Sequence, residues 1–242
     1  MLKRSPSLTE QAKSLIKQRI INAEFDEGRI PSEMDLAEEL GVSRTTIRDA
    51  LSRLELEGVI YRKQGAGTFV NEAGLQIKCR LEDIWSYAAM IEAHGYRPTT
   101  RLVGLAVQPA EPRLATDLNR PNGEPLLVIK KLFLADERPV IMTVNYLPET
   151  LIEQPYNECD FHRPLYEFLA DYCRQPLAYY LSEIVPLTAP PWVAAALQLS
   201  APRALLSFEE IGYNQENEPV VRAFSYFRDD LLRLRLIRRE GT

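Results

Sequence analysis

The stretch from Pro31 to Val70, PSEMDLAEELGVSRTTIRDALSRLELEGVIYRKQGAGTFV, restricts the fold more than any other part of the chain. Ser32 with Asp35 three residues on is a capping box that starts a helix. Leu36, Ala37 and Leu40 recur on one face, and Gly41 stands where a left-handed residue ends the helix. Ser43 caps a second helix, whose Ile47, Ala50, Leu51 and Leu54 recur at helical spacing and must face a core. Glu57-Gly58 closes it. Ile60 to Lys63 and Thr68 to Val70 flank Gln64-Gly65-Ala66-Gly67, a turn that glycine permits. The spacing predicts two short helices joined by a tight turn, followed by a two-stranded wing.

Opposite the apolar stripe of the second helix stand Thr45, Arg48 and Ser52, with Arg44 on the flank of its first turn. A helix of this width fits the major groove, where N-terminal side chains reach base edges and amides and hydroxyls take phosphate oxygens. A wing tip with two glycines lets backbone approach a phosphate closely. The same spacing also fits an ordinary helical hairpin with a solvated polar face.

The stretch resembles the winged helix-turn-helix of the GntR family of bacterial transcription regulators. The likeness is carried by Pro31-Ser32-Glu33, Leu36-Ala37, Gly41-Val42-Ser43-Arg44-Thr45-Thr46, Arg48, Ala50-Leu51, Leu54, Glu57-Gly58 and Gln64-Gly65-x-Gly67-Thr68-Phe69-Val70. It implies that Ser43, Arg44, Thr45, Thr46 and Arg48 meet double-stranded operator DNA, and that Gln64, Gly65, Gly67 and Thr68 reach the adjacent groove or backbone. The family usually has arginine after Pro-Ser-Glu; here Met34 stands there, which implies one contact fewer.

A chain of 242 residues suffices for one small and one medium domain. The net charge of -5 is unevenly placed: residues 1–70 carry 11 Lys and Arg against 11 Asp and Glu, and residues 71–242 carry 18 against 23. Within residues 41–70 the count is 5 against 3, so any positive field is local and specificity must come from a few placed side chains. No stretch is apolar for long enough to span a membrane and no apolar signal core opens the chain, so a cytoplasmic location is expected. Three cysteines at wide spacing, Cys79, Cys159 and Cys173, fit reduced thiols there.

Ser7 and Glu10 form another capping box, ahead of a helix on Leu8, Ala12, Leu15, Ile16 and Ile20. Residues 71–80 show no strong period and read as a linker between a DNA-binding domain, 1–70, and a second domain, 81–242. The second domain is expected to open with a helix from Leu81 to His94. Strands are expected over Thr99 to Val107, Pro125 to Leu134, Val140 to Tyr146, Tyr179 to Val185, Leu205 to Tyr213 and Val220 to Phe227. Helices are expected over Pro109 to Leu118, Pro164 to Tyr172 and Pro190 to Leu199, and the tail from Leu231 to Arg239 as an edge strand. Hairpins rather than crossover units point to an α+β fold with an antiparallel sheet.

This order resembles the UTRA effector domain of the HutC subfamily of GntR regulators, on Gly95-Tyr96-Arg97-Pro98, Leu132-x-Leu134-Ala135-Asp136 into Pro139-Val140, Pro164-Leu165-Tyr166-x-Phe168-Leu169, and Pro219 to Asp230. The likeness implies a chorismate-lyase-like fold, a small-molecule effector, a homodimer, and repression relieved when the ligand binds. Relatives that bind sugar phosphates use arginines, a hydroxyl and acids where this chain has Phe133, Pro164, Thr143 and Val221. The expected ligand is therefore less polar, aromatic or carboxylate-bearing, with Lys131, Arg97 or Arg222 to neutralise one anionic group. Tyr146, Tyr166 and Tyr226 are further pocket candidates.

Two other readings stay open: a ligand-binding module without DNA binding, and an enzyme of chorismate-lyase-like fold. Neither His94 nor His162 sits in a nucleophile pattern, and Glu209 and Glu210 on one strand must point to opposite faces, so no acid–base pair is evident. Cys159, His162 and Cys173 lack zinc-site spacing and a fourth ligand. No catalytic residue, metal or cofactor is expected.

Overall fold

The computed structural model describes residues 6–77, 80–81, 83–84, 86–200, 203–228, 231–232 and 234–237; Cys79 lies outside them. Two compact units meet in sequence after Arg80, and the described end of the tail, 235–237, groups with the first.

The first unit contains α1 (Leu8–Ile21), β1 (Arg29–Ile30), α2 (Glu33–Leu40), α3 (Arg44–Leu56), β2 (Ile60–Lys63), β3 (Gly67–Val70) and the single turn α4 (Glu72–Leu75). Both halves of the capping box form at Ser32 and Asp35, and Gly41 ends α2 at φ 63°. Ser43 accepts the Thr46 amide at the start of α3. At Ser7 only one half forms: Ser7 accepts the Glu10 amide, while the Glu10 carboxylate turns to Lys13 and Arg53. Ile16, Ile20, Leu36, Ile47, Leu51 and Leu54 meet in one core, each side chain contributing about 1.5–3 kcal/mol by leaving water. The wing has a third strand, in the order β1-β3-β2. Two residues are too few to show alternation, so β1 left no period to read.

Residues 71–77 are ordered against this unit. Asn71 donates from its amide nitrogen to Val59 O and from Nδ2 to Gly58 O, both at 2.8 Å, and Leu75 packs on the core. A Cβ added at Gly74 would drive into the Gly58 carbonyl oxygen, so α4 lies this close only because residue 74 has no side chain.

The second unit contains α5 (Tyr87–Ala93), β4 (Pro98–Pro109), α6 (Pro112–Asp117), β5 (Pro125–Ala135), β6 (Arg138–Pro148), α7 (Leu165–Tyr172), β7 (Leu177–Thr188), α8 (Pro191–Ala196), β8 (Ala204–Asn214) and β9 (Pro219–Phe227). The strands form one antiparallel sheet in the order β4-β5-β6-β9-β8-β7. On one face α6 packs Leu114 and Leu118 over Leu126, and α8 packs Val193 and Leu197 over Leu132 and Leu134. On the other, Phe161 and α7 residues Phe168 and Leu169 pack on Leu127, Ile129 and Val221.

Two expectations are corrected here. The first helix of this unit begins at Tyr87 rather than Leu81, because the Ser86 hydroxyl takes the Ala89 amide and fixes the start. The tail forms no strand over 231–232 and 234–237; residues 233, 238 and 239 lie outside the described residues.

Candidate functional site

The first unit presents one polar helix face. Buried Ile47, Ala50, Leu51 and Leu54 fix the rotation of α3, so Arg44, Thr45 and Arg48 must point to solvent. Arg44 Nε lies 3.3 Å from a Glu33 oxygen, yet its side chain stays 74% exposed. Such a pair is worth about 0–1 kcal/mol and exchanges easily for another anion. Arg48, one turn on, has no ion-pair partner among the described residues. Ser43 and Thr46 are committed to the cap: their hydroxyl oxygens lie 2.8 Å apart, and Ser43 Oγ also accepts the Thr46 amide. The helix thus offers two guanidinium groups and the Thr45 hydroxyl at its leading end.

The wing supplies the neighbouring surface. Gly65 and Gly67 take φ values of 73° and 119°, and Gln64 and Lys63 are exposed beside the turn. A Cβ at Gly65 would meet nothing within 4 Å, so the tip is open to an approaching backbone. Thr68 is held in the sheet between Arg62 and Ile30. Arg62, which no sequence pattern singles out, braces the wing through Glu55 at 3.5 Å, Glu33 at 3.9 Å and Ser52 Oγ at 3.3 Å. Met34 is exposed on the first turn of α2.

The second unit encloses a cavity of about 200 Å³ between the sheet and residues 81, 83–84, 86–88 and 162–166. Strand register dictates its floor. Lys131 on β5 pairs with Thr143 on β6, Thr143 with Ser225 on β9, and Ser225 with Phe208 on β8. In the next row Asn145 pairs with Ala223, Ala223 with Glu210 and Glu210 with Ser182 on β7. The floor is therefore polar, while Tyr87, Phe133, Tyr180 and Phe208 supply aromatic walls. Tyr87 stands edge-on to Phe133 at 5.1 Å and donates to Ser225 Oγ at 2.8 Å, and its phenol is pushed up by burial.

Two charged groups of opposite sign, Lys131 and Glu210, rise into this space from the sheet, while Asp83, which is exposed, and Arg163 lie in its wall. Lys131 is only 3% exposed; its ammonium donates to the Arg163 carbonyl oxygen at 2.7 Å, and burial lowers its pKa to about 8. Glu210 accepts from Ser182 Oγ at 2.6 Å, and burial raises its pKa. Neither forms an ion pair with the other or with any other described residue. Arg163, on the rim, is held by Asp171 at 2.6 Å.

Of the effector candidates read from the sequence, Lys131, Phe133, Thr143 and Tyr166 line the cavity. Arg97, Arg222 and Tyr226 do not, which corrects that expectation. Arg97 sits at the entry to β4, its backbone clipped to Asp136. Arg222 is buried on the opposite face between Asp117 at 2.8 Å and Glu209 at 3.2 Å, over the Phe224 ring. Tyr226 shares that face and meets Trp192 edge-on at 5.5 Å, and Tyr146 meets Phe224 there. Parity explains the split, since on β9 residues 221, 223 and 225 face the cavity side and 222, 224 and 226 face away. Sequence reading missed Tyr87, Asn145, Tyr180, Ser182, Glu210 and Ser225. The opposite orientation of Glu209 and Glu210 was readable, but which one met a cavity depended on pairing with β7 and β9. Among the described residues no His, Cys, Asp and Glu side chains gather as a metal site; Cys159 is exposed and Cys173 is buried, its thiol pushed up to about 12.

Residues 8–70 match the bacterial regulatory proteins of the gntR family, and residues 93–233 match the UTRA domain. The chain is similar to the HTH-type transcriptional repressor NagR of Bacillus subtilis (strain 168), 28% identical over 223 residues that span 92% of this chain and 89% of that protein. It is also similar to the histidine utilization repressor of Pseudomonas putida, 30% identical over 191 residues, 78% of this chain and 71% of that one. In fold it is similar to the possible transcriptional regulator YydK from Bacillus subtilis subsp. subtilis str. 168, with a TM-score of 0.76 at 16% identity, covering 97% of this chain and 100% of that chain.

Proposed function

The chain belongs to the gntR family of bacterial regulatory proteins and carries a UTRA domain, a combination found in transcription regulators rather than enzymes; from that membership we propose how this regulator works. It acts as a cytoplasmic homodimer that represses transcription. Residues 1–70 hold a palindromic operator, residues 81–242 bind a small effector and dimerise, and residues 71–80 connect the two. The observation that carries the reading is the leading end of α3, where Arg44, Thr45 and Arg48 are all exposed on a helix fixed by its own core. A dimer would set two such helices roughly 34 Å apart, one per successive major groove. Arg44 and Arg48 are the base or phosphate contacts, Thr45 a second base contact, and the Gln64 to Thr68 tip meets the neighbouring backbone. Ser43 and Thr46 contribute by holding the helix start rather than through free hydroxyls.

The effector enters the cavity on the sheet of the second unit. Its wall includes Leu81, Asp83, Ile84 and Ser86, which follow in the chain directly after the connecting residues. Ligand contact with that wall shifts the start of α5 and so the connector, with a coupling of about 1–3 kcal/mol that releases the operator. No helix of the described residues is long and apolar enough to cross a membrane.

The test is operator binding by fluorescence anisotropy, using a palindromic duplex selected from random DNA by the protein itself. Arg44→Ala and Arg48→Ala should each weaken binding by about 1–3 kcal/mol with unfolding unchanged. Unaltered affinity in both variants would remove α3 from the interface.

A further inference from the structure

We propose that the cavity takes a small monocarboxylate carrying a nitrogen donor at its far end, an amino-acid-like ligand that bridges Lys131 and Glu210, and not a phosphate ester. The inference rests on the reading of this cavity as the effector site and specifies what the site selects.

Lys131 and Glu210, of opposite charge, share this cavity without meeting. Lys131 is buried and Glu210 half-buried, so each charge costs free energy unless compensated, and a direct ion pair would be the simplest compensation. Here Lys131 has one carbonyl oxygen and Glu210 one serine hydroxyl, and the two do not pair. Register explains why. Lys131 is on β5 and Glu210 on β8, with β6 and β9 between them and a two-residue offset along the strands, so their backbones stand about 16 Å apart at normal sheet spacings. Both side chains line the cavity, Lys131 held at the Arg163 carbonyl and Glu210 at Ser182 on β7, and the space between them suits a ring or a short carbon chain. A ligand with a carboxylate at one end and an amine at the other supplies each group with its counter-charge at once. Burial displaces the pKa of both groups toward the neutral form in the absence of ligand, as expected of charges awaiting partners.

The remaining lining fits the middle and the edges of such a molecule. Phe133 and Tyr87 on one side and Tyr180 and Phe208 on the other give an apolar sleeve. Thr143, Asn145 and Ser225 add neutral hydrogen-bonding groups on the floor, and the Asn145 amide is only weakly engaged, at 3.5 Å from both of its partners. A volume of about 200 Å³ corresponds to roughly seven waters, or an organic molecule of about ten non-hydrogen atoms. A phosphate ester fits poorly. No arginine rises from the floor, Arg163 on the rim is engaged by Asp171, and the Glu210 carboxylate would repel a dianion.

Calorimetric titration of the full-length protein tests this with gamma-aminobutyrate, delta-aminovalerate and para-aminobenzoate, their analogues lacking the amine (butyrate, valerate, benzoate), and glucosamine phosphate. At least one amino carboxylate should bind about tenfold or more tightly than its analogue. Glu210→Gln should shrink that preference to about threefold or less, because the analogue never used the carboxylate, whereas Lys131→Met should abolish binding of both. The proposal is overturned if none of the three amino carboxylates binds, if the analogues bind as well as their parents, or if glucosamine phosphate binds more tightly than all of them. The effector-site reading has its own readout: release of the selected operator duplex by whichever compound binds, and loss of that binding in Lys131→Met. Glucosamine phosphate passing both would keep the site and discard the ligand class.

Discussion

Lys131 shows how one buried charge can work against stability. Burial lowers its pKa from an ordinary 10.5 to about 8, so between those values the unfolded chain holds a proton that the folded chain has released. The sign follows. Folding is penalised most at and below about pH 8, and stability contributed at this position rises as pH climbs toward the unfolded value. Lys131→Met keeps most of the volume and removes the charge, so at neutral pH it should stabilise the protein by about 1–3 kcal/mol, less the bond to Arg163 O. Denaturant unfolding at neutral pH and again near pH 10 should show the gain shrinking at the higher value. A variant less stable than wild type at neutral pH would mean that Lys131 is already compensated in the unliganded protein. Arg222 is the opposite case at the same scale. It too is buried, 4% exposed, but two carboxylates flank it, so Arg222→Met should strand Asp117, while Glu209 keeps Arg113 at 3.4 Å, and destabilise by about 3 kcal/mol. Composition and spacing did not separate these two basic residues. Only the cross-strand partners, which depend on contacts from distant parts of the chain, show that one is spent on structure and the other is not.

Among the elements, those with a strong local signal were legible. The α2 cap, the Gly41 stop and the apolar stripe of α3 are written within a few residues of one another, and the structure places each where its chemistry requires. The hairpins β5–β6 and β8–β9 were equally plain from alternation and turns. What stayed hidden was organised at longer range. The two-residue strand β1 exists only because β3 offers it an edge, and Leu81, Asp83 and Ile84 are cavity wall instead of helix because Ser86 caps the turn after them. The connector is the clearest example: its first half looks featureless, yet α4 rests on the end of α3 through a contact that only glycine allows. Gly74→Ala must displace α4 from the Gly58 carbonyl, break the Asn71 bonds and loosen Leu75, at a cost of about 1–3 kcal/mol. Because α4 precedes the cavity wall in the chain, the same variant should weaken ligand-induced operator release more than operator binding itself. Thermal unfolding together with the ligand dependence of anisotropy measures both effects; an unchanged melting temperature would mean that α4 does not pack as described.

At the scale of the whole molecule, charge decides how DNA is held. The chain is acidic overall at -5, and residues 1–70 are balanced, so no broad positive surface draws it onto any duplex. On the proposed dimeric interface, affinity comes from a few groups in each copy, chiefly Arg44, Arg48 and Lys63. If all six in a dimer neutralise phosphates, the logarithm of the binding constant should fall with the logarithm of salt at a slope of about -5. That slope distinguishes what α3 does. Should Arg48 meet a phosphate, Arg48→Ala in both copies should flatten the slope by about two and weaken all sequences alike. Should it read a base edge, the slope should hold while preference at one position of each half-site relaxes by about 1–3 kcal/mol. Its position one turn inside the helix, with no carboxylate holding it, favours the base, and Arg44, at the first residue and already resting on an anion, favours the phosphate. Titrating wild type and the two single variants from about 50 to 200 mM salt against the selected operator and a scrambled duplex separates these assignments. A flatter slope for Arg48→Ala with unchanged sequence preference would exchange the two roles while leaving the interface on α3.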